Sequence, residues 1–144
     1  MLRNVALIAP LVAWTIAQLL KFLLDAAAKR KLDFTRLVNP GGMPSSHSTL
    51  VSCMSIIMGR IYGWESPLFA MASVLSLIVL YDAAGVRRAA GRQARVINRI
   101  VDDIYRKGRI REERLRELLG HTPLEVFAGV ALGAIVAFSW PIGQ

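Results

Sequence analysis

The stretch "GGMPSSHS", residues 41–48, sets two glycines, a proline, three serines and one of the chain's two histidines between apolar runs. Polar groups are cheap in a solvated turn and costly against hydrocarbon, so its reading turns on what flanks it. Upstream, Val5 to Leu24 is apolar; downstream come Thr49 to Gly63, Pro67 to Ala84 and Leu124 to Trp140. Each is close to, or slightly short of, the roughly 20 residues that cross a hydrocarbon core. The pattern predicts an all-α fold: a small integral membrane bundle of about four short membrane helices in one domain, residues 1–144, with a basic helical insertion at about 87–119. The polar stretch then opens the second helix.

Composition agrees with that setting. The chain has 144 residues, 54% of them hydrophobic, and a mean hydropathy of +0.44, above the apolar share of an ordinary soluble domain. A net charge of +8 with apolar spans points to membrane lipids and anionic head groups as partners, and away from nucleic acid. Cys53 is the single cysteine, which excludes an intrachain disulfide and a cysteine metal cluster. The first run meets Lys21 and Asp25 without a small-residue cleavage site, so it reads as a membrane helix and not as a signal peptide. The second and third runs are joined by Tyr62 to Pro67, and two full crossings or a re-entrant hairpin both satisfy their length.

Charge orients the bundle. The segment from Asp25 to Pro40 carries Lys29, Arg30, Lys31 and Arg36, and Arg87 to Leu119 carries eleven Lys or Arg against five acidic residues. With four spans both segments lie on one side, which the positive-inside rule makes cytoplasmic in a multi-pass cell-membrane protein. Arg3 and Arg60 fall on the outer side, where long side chains snorkel to head groups. Within the large basic segment Val96, Ile97, Ile100, Val101 and Ile104 recur at helical spacing, and Arg88, Arg92, Arg95 and Arg99 follow another face. An amphipathic helix is predicted there, broken at Gly108 and followed by a short helix in "REERLRELLG".

Four polar clusters fall at the same end of the spans. Lys21 ends the first run, "GGMPSSHS" opens the second, "YDAAGVRR" closes the third and "GHTPLEV" opens the fourth. Cations and helix N-termini together make an anion site. With His47 and His121 present, the chemistry suggested is phosphoryl transfer: one neutral imidazole attacks phosphorus, the other protonates the departing oxygen, and Glu125, four residues after His121, orients the nucleophile. No metal and no cofactor is required.

These residues resemble a known family. "QLLK", "GGMPSSHS", "YDAAGVRRAAGRQARVIN" and "LLGHTPLEVFAG", in that order, are similar to the divergent branch of the type 2 phosphatidic acid phosphatase superfamily, related to acid phosphatases and vanadium-dependent haloperoxidases. The resemblance implies that Pro44, Ser45, Ser46 and His47 match a P-S-G-H motif, with Ser46 in place of glycine and His47 as the acid. It implies that His121 and Glu125 match H-x-x-x-D, with His121 the nucleophile and Glu for Asp. Arg87 or Arg88 supplies the phosphate-binding arginine, separated here from His121 by the basic segment. Lys21 is the preferred lysine of the first motif, with Lys29 and Arg36 the alternative.

Each assignment has a structural rival. Thr122, Pro123 and Glu125 spell a helix start with a capping box; Ser45 or Ser46 is a natural N-cap; Lys21 reads equally as an interfacial lysine; Arg87 and Arg88 also serve as anchors. Gly129 and Gly133 form a small-xxx-small pair suited to helix packing, and a homodimer would enlarge the buried surface. The function expected is a metal-independent lipid-phosphate phosphatase at the cytoplasmic leaflet, working through a phosphohistidine on a phosphatidylglycerophosphate-like lipid. The alternatives are an isoprenoid (di)phosphate phosphatase and a non-catalytic lipid-phosphate-binding protein.

Overall fold

The structure, a computed structural model, describes residues 4–29, 42–105 and 121–142. Among them all regular structure is helical: α1 (Val5–Lys29), α2 (Ser46–Tyr62), α3 (Pro67–Tyr81), a π-helical turn (Asp82–Val86), α4 (Arg87–Tyr105) and α5 (Pro123–Ser139). The all-α expectation holds. Helix α2 is the hub and packs against α1, α3 and α5. Helices α2 and α5 run parallel, since Ser45 meets Glu125 at one end and Arg60 meets Ala137 at the other.

The interior is built from small residues. Ala9, Ala13 and Ala17 form an i, i+4 row on α1 and are wholly buried, as are Cys53 and Ile57 of α2 and Ala137 of α5. On α5, a Cβ on Gly129 would collide with the Ser45 carbonyl oxygen, and one on Gly133 with the Thr49 carbonyl oxygen. These two glycines therefore let α5 lie directly on the α2 backbone, as the small-xxx-small pattern predicts. Hydroxyls join α2 to α3: Ser55 Oγ and Ser73 Oγ are 2.9 Å apart, and Ser76 Oγ donates to the Val51 carbonyl at 2.8 Å. Large apolar side chains point outward instead, including Leu11, Leu19 and Leu23 of α1, Met71 and Leu77 of α3, and Phe127 and Ile135 of α5. Small polar residues inside and large apolar residues outside is the distribution that lipid, not water, favours.

Among the described residues two stretches, Val5–Ala27 and Pro67–Gly85, are long and apolar enough to cross a membrane, fewer than the four expected. The other two candidates fall short for different reasons. Helices α2 and α5 have 17 residues each, about 26 Å of helix against a hydrocarbon core of about 30 Å. Helix α5 is apolar but short, whereas α2 spends Ser46, Ser48, Thr49, Ser52 and Ser55 on the interior and loses hydropathy by it.

The third apolar run does not end in a loop. Helix continues from Pro67 to Tyr105 through the π turn, which carries the chain directly into the predicted amphipathic helix. The expected break at Gly108 and the helix in "REERLRELLG" lie outside the described residues. At the far end of the bundle Arg60 is a capping residue: its Nη1 donates to the carbonyls of Ala137, Phe138 and Trp140, and its guanidinium sits 5.9 Å from the centre of the Phe138 ring. The helix's last carbonyls consume this charge.

Candidate functional site at the N-termini of α2 and α5

Glu125 is the third residue of α5, and its position follows from how that helix starts. Thr122 is the N-cap and Pro123 follows it in the first turn. Thr122 Oγ1 accepts from the Glu125 amide at 3.3 Å, and Glu125 Oε2 accepts from the Thr122 amide at 3.1 Å, completing a capping box. The same Oε2 lies 3.0 Å from His121 Nδ1. One carboxylate oxygen thus caps the helix and holds the imidazole, so the capping reading and the orienting reading of Glu125 describe one arrangement. His121 is buried, 7% exposed, and its amide donates to the Ala83 carbonyl of the π turn at 3.1 Å.

Ser45 is the N-cap of α2. Its Oγ accepts from the Ser48 amide at 3.4 Å and from Ser48 Oγ at 2.9 Å, and its carbonyl accepts from Thr49 N and Oγ1. The Ser45 amide donates to the Glu125 carbonyl at 3.0 Å, which sets the first turns of α2 and α5 side by side. Ser46 is buried and His47 is exposed in that first turn. The dipole of α2 directs positive potential out of this end.

Lys21 joins the group from α1. It continues the row Ala9, Ala13, Ala17 by one more i+4 step and is 6% exposed, so it is a buried lysine and not one that snorkels to the interface. Gly42 lies over its stem: at φ +92 it occupies the left-handed region, and a Cβ there would come 3.1 Å from Lys21 Cγ and Cδ. The left-handed glycine thus packs on the stem of the lysine. Gly41 lies outside the described residues.

Lys21, Ser45, Ser46, His47, His121 and Glu125 therefore belong to one end of the bundle, linked through the Lys21–Gly42 contact and the Ser45–Glu125 bond. Arg87 and Arg88 open α4 straight after the π turn that holds His121; their side chains lie outside the described residues, as do Arg36 and the side chain of Lys29. Sequence reasoning missed the Ala83 carbonyl and the Ser48 hydroxyl. A main-chain acceptor in a π turn leaves no side-chain pattern, while Ser48, at i+3 from an N-cap serine, was open to recognition.

A model of a family described as the divergent PAP2 family matches residues 2–136. The chain belongs to the divergent PAP2 family. Its similarity extends to "Uncharacterized membrane protein YuiD" of Bacillus subtilis (strain 168), 38% identical over 94% of this chain and 93% of that protein. No solved structure matches the chain. The divergent PAP2 family match runs from α1 into α5 and so includes every candidate site residue. The resemblance read from four separated motifs and this membership agree.

Proposed function

We propose that the chain is a multi-pass membrane phosphatase that removes phosphate from a lipid phosphate without a metal. The observation that carries this reading is the contact from buried His121, Nδ1 to Glu125 Oε2 at 3.0 Å, beside the N-terminus of α2. In the proposed mechanism Nδ1–H donates to the carboxylate, which leaves the lone pair on Nε2. Nε2 attacks phosphorus, the phosphorus–oxygen bond to the lipid breaks, and the leaving oxygen takes a proton from His47. Neutral His47 then accepts a proton from water as its oxygen attacks the phosphohistidine, releasing inorganic phosphate and freeing His121. Lys21, the amides around Ser45 and Ser46, and Arg87 or Arg88 stabilise the charge on the transferring group.

The basic segments 25–40 and 87–119 begin at the end that carries these residues, and by the positive-inside rule that end is taken to face the cytoplasm. A lipid made on that side, such as a phosphatidylglycerophosphate-like lipid, is then favoured over an isoprenoid diphosphate processed outside. Phosphate release from purified protein on a panel of lipid phosphates tests the reading. Release by the wild type that is lost in both His121→Ala and His47→Ala supports it; lipid-phosphate binding without histidine-dependent release supports a non-catalytic binding protein instead.

A further inference from the structure

Helix α4 presents three different faces. Gly91, Ala94 and Asn98 are buried against protein. Val96, Ile97 and Ile100 form an exposed apolar face, and Arg95 and Arg99 are exposed beside it. The helix is unsuited to a hydrocarbon core, because residues 87–101 include five arginines, and unsuited to water, because Val96, Ile97 and Ile100 are uncovered. Nor does it fit as a straight extension of α3. Pro67 to Tyr105 is an unbroken helical stretch of 39 residues, about 58 Å long, which is almost twice a hydrocarbon core of about 30 Å.

We infer that α4 is an in-plane helix that seats Val96, Ile97 and Ile100 among the head groups of an anionic leaflet, with Arg95 and Arg99 on lipid phosphates. The occupant is argued from charge complementarity. Helix α4 carries five arginines against two acidic residues, Asp102 and Asp103, both in its last turn, so the charge along the apolar face is net positive, the pattern that anionic lipid attracts. A protein partner or a second copy would need a cluster of acidic groups to meet five arginines, and α4 itself offers only Asp102 and Asp103 at its end. This inference does not depend on phosphatase activity.

The test uses the full chain in vesicles, with a polarity-sensitive fluorophore on Ile97→Cys or, as the off-face control, Asp102→Cys. Cys53 is wholly buried, and labelling of the otherwise unchanged protein gives the background. In phosphatidylglycerol-containing vesicles, a nitroxide placed near the head group of a tracer lipid should quench the Ile97 probe roughly twofold or more over the Asp102 probe. That excess should shrink in phosphatidylcholine vesicles and in the Arg95→Glu, Arg99→Glu background. Water-like emission and equal quenching at both positions overturn the proposal. So does disulfide cross-linking of Ile97→Cys between copies that rises with protein-to-lipid ratio, which would give the face to a second chain. Quenching at Ile97 that ignores lipid charge and both arginine reversals overturns the anionic assignment.

Discussion

At the scale of single residues, Glu125 Oε2 is asked to do two things, and substitution separates them. Glutamine at this position keeps an acceptor for the Thr122 amide and still suits a capping box, but it lacks the charge that favours the productive imidazole. Glu125→Gln should leave the thermal midpoint nearly unchanged and lower phosphate release about 100-fold or more. Thr122→Ala should do the reverse, costing about 1 kcal/mol of stability with a smaller loss of turnover, because the His121 to Glu125 contact does not pass through the hydroxyl. Equal losses of stability and activity in both variants would make the contact a helix cap and nothing more. Lys21→Met preserves the stem that Gly42 packs on and removes only the ammonium. The variant should fold as well as the wild type and release phosphate roughly 100-fold more slowly; full activity would remove Lys21 from the site.

At the scale of elements, the α2–α5 contact positions the site, because the bond from Ser45 to Glu125 is the last rung of a parallel packing that begins at Gly133. Gly133→Ala forces its Cβ toward the Thr49 carbonyl and should cost about 1–3 kcal/mol. Lower thermal midpoints in detergent, with activity per folded molecule reduced, are the expected readout. Arg60→Gln unties the far end of α5 and should lower stability by about 1–2 kcal/mol while leaving activity per folded molecule intact. Inactivity of folded Arg60→Gln would mean that the two ends of the bundle are coupled. The helices themselves were legible: apolar runs, the Ser45 and Thr122 caps and the Gly129–Gly133 pair predict α2 and α5 to within a few residues. The junction at Asp82–Val86 was not, because a π turn differs from an α-helix in backbone registry, which no residue type there enforces. Likewise, the charge of Arg60 was visible, but its capping role was not, since its acceptors are main-chain carbonyls of α5 from far along the sequence.

At the scale of the whole molecule, the bundle is assembled inside out relative to a soluble protein, with serines, alanines and glycines between helices and leucine, methionine and phenylalanine outside. That arrangement allows backbones to approach closely enough for main-chain bonds to tie the first turns of α2 and α5 and the π turn into one end. The convergence of four separated polar clusters was readable from segment order alone. The burial of Lys21 was less so, although the row Ala9, Ala13, Ala17, Lys21 carries the signal. A nucleophilic His121 held by Glu125 should leave an acid-labile, base-stable phosphoryl adduct, which rapid quenching with radiolabelled lipid phosphate would trap. Label is expected on a peptide containing His121 in the wild type, none in His121→Ala and much less in Glu125→Gln. Phosphate release at wild-type rates from His121→Ala, with no adduct on the wild type, would contradict it.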